Sequence, residues 1–224
     1  MLHFNHLRRS GANIPTAKYL VNTSGIRHLG GSATGQGNPG SESDPQQSII
    51  QSTIRVDLLA QQAATALASG RSLATHRRPD YTALLEEETE HLQKIKSLAP
   101  QYNVRPSLLG PLASAAFGAL GVASALAPPL LSSAIAAGVQ DAMTDAFNEQ
   151  LREMREAGVA KSAAAEEVRL VVRELRDQER APAGAPHVPD ILSLRNPRDI
   201  SPAEGIAAVF KAGTKLLLDT AKTI

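Results

Sequence analysis

Residues 84–98 read LLEEETEHLQKIKSL and contain Glu88-x-x-His91. Residues three apart share one face of an α-helix, so this carboxylate and this imidazole project together. The flanking Leu84, Leu85, Leu92, Ile95 and Leu98 supply an apolar stripe at helical spacing, with charged residues between. Metal-binding four-helix bundles use such a Glu-x-x-His on each of two helices and a lone Glu on each of two others. The stretch therefore predicts an all-α chain and poses a question about where further carboxylates and imidazoles lie.

Composition narrows the answer. The chain has 224 residues with 42% apolar side chains, but only 3% aromatic and no Trp. A core of that size must be built from Ala, Leu, Val and Ile, which suits closely packed helices. A net charge of +1 gives no pull toward nucleic acid. The absence of Cys excludes disulfides, thiolate zinc sites and thiol nucleophiles.

The first 48 residues differ from the rest. Arg8, Arg9, Lys18 and Arg27 are the only Lys, Arg, Asp or Glu side chains before Glu42, among many Ser, Thr, Asn and Gly. Residues 1–30 resemble a mitochondrial targeting segment, and a retained extension with no core of its own would order only against a partner. Residues 31–47 have linker composition, and residues 48–224 form the helical domain. A first helix is predicted from Ser48 to Ser69, broken by Gly70, and a second from Pro79 to near Pro100. Arg105 and Asp141 then bracket a stretch without charge, divided by Pro128-Pro129. Leu108 to Ala127 is about 20 residues, roughly 30 Å as a helix. Together with Leu130 and Leu131 this predicts a hydrophobic hairpin entering a membrane, carried by Leu108, Phe117, Leu120, Leu126, Leu130 and Leu131. Its Gly118 and Gly121 permit close helix contact. Further helices are predicted from Leu130 to Glu156, Ser162 to Arg180 and Pro202 to Lys222, with a proline-rich segment at 181–202.

Several strings, in order, resemble the demethoxyubiquinone hydroxylase family, ferritin-like di-iron monooxygenases of ubiquinone synthesis. Ile54-Arg55-Val56-Asp57 is similar to the start of the family's first helix, and Glu88-Thr89-Glu90-His91-Leu92 to its E-x-x-H-L. Arg105-Pro106 through Leu112, then Phe117-Gly118-Ala119-Leu120-Gly121, look like its R-P-x-x-L-x-P-L and G-F-A-L-G. Asn148-Glu149-Gln150-Leu151-Arg152, Arg176-Asp177-Gln178-Glu179 and Ala212-Gly213-Thr214-Lys215 continue the match to the end of the chain. The resemblance implies a ferritin-like four-helix bundle with a membrane-associated hydrophobic hairpin and a C-terminal helix.

It also implies a site of four Glu and two His. Carried over position by position, Glu88, His91 and Glu179 are retained, whereas Gln61, Gln140 and Pro182 stand at the other three positions. A neutral amide is a poor ligand for iron, and proline has no donor. Ala146, Phe147 and Gln62 replace flanking His and Tyr residues of the family. The resulting expectation is a chain without catalytic activity and without cofactor. It would be an accessory subunit of a respiratory-chain or ATP-synthase assembly, on the matrix side of the mitochondrial inner membrane. Its partners would be protein subunits, membrane lipid and quinone. Two alternatives stand beside it: a working demethoxyubiquinone hydroxylase with two iron ions, and a quinone or lipid carrier. A single-metal site using Asp141 beside Glu88, His91 and Glu179 is a further variant.

Overall fold

A computed structural model describes residues 45–159, 162–179, 184–190 and 200–223. The segment predicted to target the chain, most of the linker and Pro182 lie outside the described residues. Among the described residues six helices follow one another: α1 Pro45–Ala74, α2 Pro79–Gln101, α3 Gly110–Leu126, α4 Pro129–Glu156, α5 Ala163–Gln178 and α6 Pro202–Thr223. The helix starts at Pro79, Pro129 and Pro202 follow from proline's fixed φ and missing N–H, both harmless in a first turn. Ser162 caps α5 by accepting the Ala165 N–H. Ser201 and Glu204 cap α6 reciprocally: Ser201 Oγ accepts the Glu204 N–H at 3.3 Å, and Glu204 Oε2 accepts the Ser201 N–H at 2.7 Å.

The chain is a ferritin-like bundle of α1, α2, α4 and α5, with α3 laid on α1 and α6 laid on α4. Helix α1 touches all five others. Accordingly, six consecutive residues from Val56 to Gln61 are buried, more than one helical face. The core joins Ile54, Leu59 and Leu67 of α1 to Ile95 of α2, Met143 and Phe147 of α4 and Val172 and Leu175 of α5.

Helices in this aromatic-poor chain approach backbone to backbone. A Cβ at Gly121 of α3 would lie 2.2 Å from the Leu67 carbonyl oxygen, and one at Gly70 of α1 would lie 2.1 Å from that of Gly118. This contact explains why α1 does not break at Gly70: the glycine is a packing notch inside a 30-residue helix. The predicted linker also ends early, since Pro45 to Gln47 already belong to α1. Arg71 ties the hairpin down, its Nε donating to Ser124 Oγ at 2.9 Å and its guanidinium to the Ser132 carbonyl at 3.3 Å.

The hairpin is shorter than its uncharged stretch. Helix α3 has 17 residues, and none of the described helices is long and apolar enough to cross a membrane. Leu108, Leu126 and Leu130 are exposed at 87%, 73% and 60%. Phe117 and Leu120 instead pack against the core, and Leu131 is half-buried.

The tightest notch outside the hairpin is Gly138 of α4, where a Cβ would meet the Ala207 carbonyl oxygen of α6 at 2.1 Å. Gly138→Ala should therefore lower stability by about 1–3 kcal/mol in chemical denaturation, despite alanine's better helix propensity. Gly213→Ala, where nothing lies within 4 Å of the added Cβ, should raise it by about 0.5–1 kcal/mol. Equal effects at the two positions would contradict close α4–α6 packing.

Candidate active site

Helix α2 presents Glu88 and His91 inward, one turn apart and both buried. Glu88 Oε2 stands 3.8 Å from His91 Nδ1, a charge contact longer than a hydrogen bond. Burial alone would pull the imidazole down, but the Glu88 carboxylate, with Glu87 behind it, holds His91 above its ordinary pKa. Thr65 of α1 fixes the turn by donating to the Glu88 carbonyl at 3.0 Å.

Glu179 arrives from the end of α5, as the residue capping its C-terminus. The residue as a whole is half-buried, while its carboxyl lies deep against α1 and α2. Burial, then the negative charge of Glu88 and Glu87, push it up to about 8, and the Gln61 amide beside it partly offsets this. Gln140 of α4 closes the group. A residual void of about 20 Å³ is lined by Glu88, Glu179 and Gln140, with Leu67, Val139 and Met143 as walls. That is room for about one water molecule. The fold thus gathers Gln61, Glu88, His91, Gln140 and Glu179 at the bundle centre. Pro182, the sixth position, lies outside the described residues. Asp141 is directed away, bound to Lys211 of α6 at 2.6 Å.

These side chains are poorly satisfied. Both amide atoms of Gln61, Glu88 Oε2, His91 Nδ1 and Gln140 Oε1 are buried without a hydrogen-bond partner. Each such atom costs about 1–3 kcal/mol when left dry. A cation or ordered water would satisfy the acceptors among them. Two carboxylates and one imidazole nevertheless fall short of the donors that two iron ions require. Among the described residues, no three acidic or histidine side chains converge closely enough to hold a metal ion. The described residues alone do not complete a two-iron donor set.

A second buried group lies one turn away and was not singled out from the sequence. Asp57 of α1 and Gln150 of α4 are almost wholly inaccessible. Burial drives the Asp57 carboxyl up to about 7, with only partial relief from Gln150. The available signal was the spacing Ile54, Asp57, Gln61, which places a carboxylate on the apolar face of a core helix.

The arrangement defines a class: ferritin-like helical bundles whose inward carboxylates and imidazole meet between four helices. The sequence profile described as "Ubiquinone biosynthesis protein COQ7" matches residues 48–184, and the chain belongs to that family. Among its relatives is the mitochondrial NADPH-dependent 3-demethoxyubiquinone 3-hydroxylase of Dictyostelium discoideum, 27% identical over 175 residues, or 76% of this chain and 75% of the relative. The rat protein of the same name is 28% identical over 136 residues, 59% and 61% of the two chains. The Saccharomyces cerevisiae 5-demethoxyubiquinone hydroxylase, also mitochondrial, is 31% identical over 117 residues, half of each. The chain thus spans less than two thirds of the rat and yeast proteins.

These relatives correct two expectations. They are named hydroxylases, which overturns the reading of the chain as no enzyme, drawn from the substitutions at Gln61, Gln140 and Pro182. The expectation of no cofactor falls with it, since the resemblance to this family implies a two-iron hydroxylase and the relatives carry the hydroxylase name. An accessory role in a respiratory assembly gains no support from them.

Folded Asp57 holds its proton to about pH 7, whereas the unfolded carboxyl releases it near 3.8. The folded state binds the extra proton between these values, so this residue's contribution to stability falls as pH rises from about 4 to about 7 and is level above. The stability of Asp57→Asn relative to wild type should accordingly rise by roughly 2–4 kcal/mol across that window, followed by urea denaturation. A difference independent of pH would show that Asp57 titrates normally.

Proposed function

We propose that the chain is a hydroxylase of ubiquinone biosynthesis acting on the ring of a demethoxyubiquinone. The observation that carries this reading is the convergence of Glu88, His91 and Glu179 at the bundle centre, in a family whose relatives are named for that reaction. Leu67, Val139 and Met143 wall the void beside these groups and keep bulk water out. Gln61 and Gln140 bring the nearest further oxygens, both without hydrogen-bond partners.

A prenylated substrate needs an apolar berth. A cleft of about 710 Å³ runs between α1, α2 and the start of α3, lined by Ala66, Leu92, Pro106, Leu108 and Pro111. Leu92 follows His91 directly, and Thr65 shares the cleft wall while bonding the Glu88 carbonyl, so the cleft abuts the catalytic turn. Its volume and lining suit a quinone ring with the first part of its tail. The exposed Leu108, Leu112, Leu126 and Leu130 give the hairpin an apolar outer face. In this reading that face rests on the mitochondrial inner membrane, where the quinone resides, consistent with the mitochondrial names of the relatives.

The test is expression in iron-replete cells lacking their own demethoxyubiquinone hydroxylase. Quinones are quantified by mass spectrometry and iron is measured in the purified protein. Wild type should convert demethoxyubiquinone onward, and His91→Ala or Glu88→Gln should lower that conversion by roughly 100-fold or more, since even groups that only orient such donors carry about 10–100-fold. Demethoxyubiquinone left unchanged by abundant, folded, iron-supplied wild type would overturn the reading.

A further inference from the structure

Away from the bundle centre, α4 and α5 face each other across a groove of about 270 Å³ lined by Asn148, Leu151 and five arginines: Arg152, Arg155, Arg169, Arg173 and Arg176. The spacing explains the clustering. Arg169, Arg173 and Arg176 fall at steps of four and three on α5, and Arg152 and Arg155 lie three apart on α4, so each helix offers one stripe. Five like charges around one recess repel one another unless neutralised.

The carboxylates of the same two helices neutralise only part of this charge. Glu166 and Asp177 pair with Arg169 and Arg176, and Glu156 stands loosely 3.9 Å from Arg152. The others are committed elsewhere. Asp141 and Asp145 bind Lys211, Glu149 and Glu153 bind Lys222, Glu174 binds Lys94, and Glu167 accepts from the Tyr102 hydroxyl. Among the described residues, Arg155 and Arg173 therefore have no carboxylate partner, and the groove carries a surplus of two positive charges. The Nε of Arg169 is in addition shut off from water without an acceptor.

We propose that this groove binds a soluble anion through a phosphate or diphosphate group. Guanidinium forks pair bidentately with carboxylate and phosphate alike, but the three or four oxygens of a phosphate accept from several forks at once, where the two of a carboxylate serve one. The surplus of two matches a phosphate dianion, and the recess is of the size of one or two phosphate groups rather than an extended polymer. Position argues for a soluble source. Leu130, at the hairpin end of α4, lies 22 residues before Arg152 on the same uninterrupted helix, or about 33 Å at 1.5 Å per residue. That distance separates the groove from the apolar face of the hairpin, which favours a soluble source.

The site is independent of the hydroxylase reading, and its test is too. Full-length protein is titrated calorimetrically with inorganic pyrophosphate at constant ionic strength, beside the single variants Arg155→Gln and Arg173→Gln. Both residues are exposed, so the variants should fold, and circular dichroism verifies this. Wild type should bind, raising Tm with added pyrophosphate, and each variant should bind about tenfold more weakly, the loss of one charged hydrogen bond. Binding should also weaken as chloride is raised. No binding by wild type, or equal binding by wild type and both variants, would overturn the proposal. So would arginine-dependent binding found only with phosphatidylglycerol vesicles and not with pyrophosphate, since the source would then be a lipid headgroup.

Discussion

Everything in this bundle rests on how closely its helices approach. A core with few aromatic rings gains little area per side chain, so the chain compensates by bringing backbones together. Gly70 and Gly121 set α3 against α1, and Gly138 sets α6 against α4, each at distances where any side chain would collide with a carbonyl oxygen. Dispersion contacts fall off steeply with separation, and small residues recover through proximity what they lack in size. The consequence is that α1 is enclosed on nearly every side. Asp57 and Gln61 on its inner face then have no route to water, and that enclosure determines the character of the site.

The site and its neighbour are therefore both products of enclosure. Gln61 and Asp57 stand one turn apart on the most buried helix, and each meets a glutamine or carboxyl from a facing helix rather than solvent. Low dielectric strengthens the coupling between Glu88, His91 and Glu179: the same Glu88 charge raises the pKa of the imidazole and of the facing carboxyl. A group of unsatisfied atoms in such surroundings is costly to stability and is retained where chemistry or binding repays it, which agrees with membership in a family of hydroxylases.

Much of the architecture was legible because it is written locally. The prolines at 79, 129 and 202 open helices, the Glu-x-x-His spacing places two groups on one face, and the uncharged stretch marks the hairpin. The failures share one cause, which is that they depend on what lies across the interface. Gly70 reads as a breaker until Gly118 is seen opposite. Asp141 reads as a stand-in ligand until Lys211 is found holding it. Phe117 and Leu120 read as membrane-facing, yet the hairpin turns them inward, because a charge-free helix gives no periodic signal to tell its two faces apart. The functional misreading has a different origin. A count of substituted ligands speaks to metal coordination position by position, whereas family membership is carried by the whole length of the match.

The charge distribution binds the fold and the arginine groove into one pattern. Lys94, Lys211 and Lys222 each clasp carboxylates from a neighbouring helix, fastening α2 to α5 and α6 to α4. Individually, half-exposed pairs of this kind contribute little. Collectively they hold Asp141, Asp145, Glu149, Glu153 and Glu174 toward α6 and α2, and leave the arginines between α4 and α5 only partly neutralised. The near-zero net charge of the chain conceals this separation, because a whole-chain sum cannot register that positive and negative groups sit on different faces. A bundle held by lysine clasps at its flanks thereby acquires an anion-attracting seam as a consequence of its own packing, at the opposite end of α4 from its apolar hairpin.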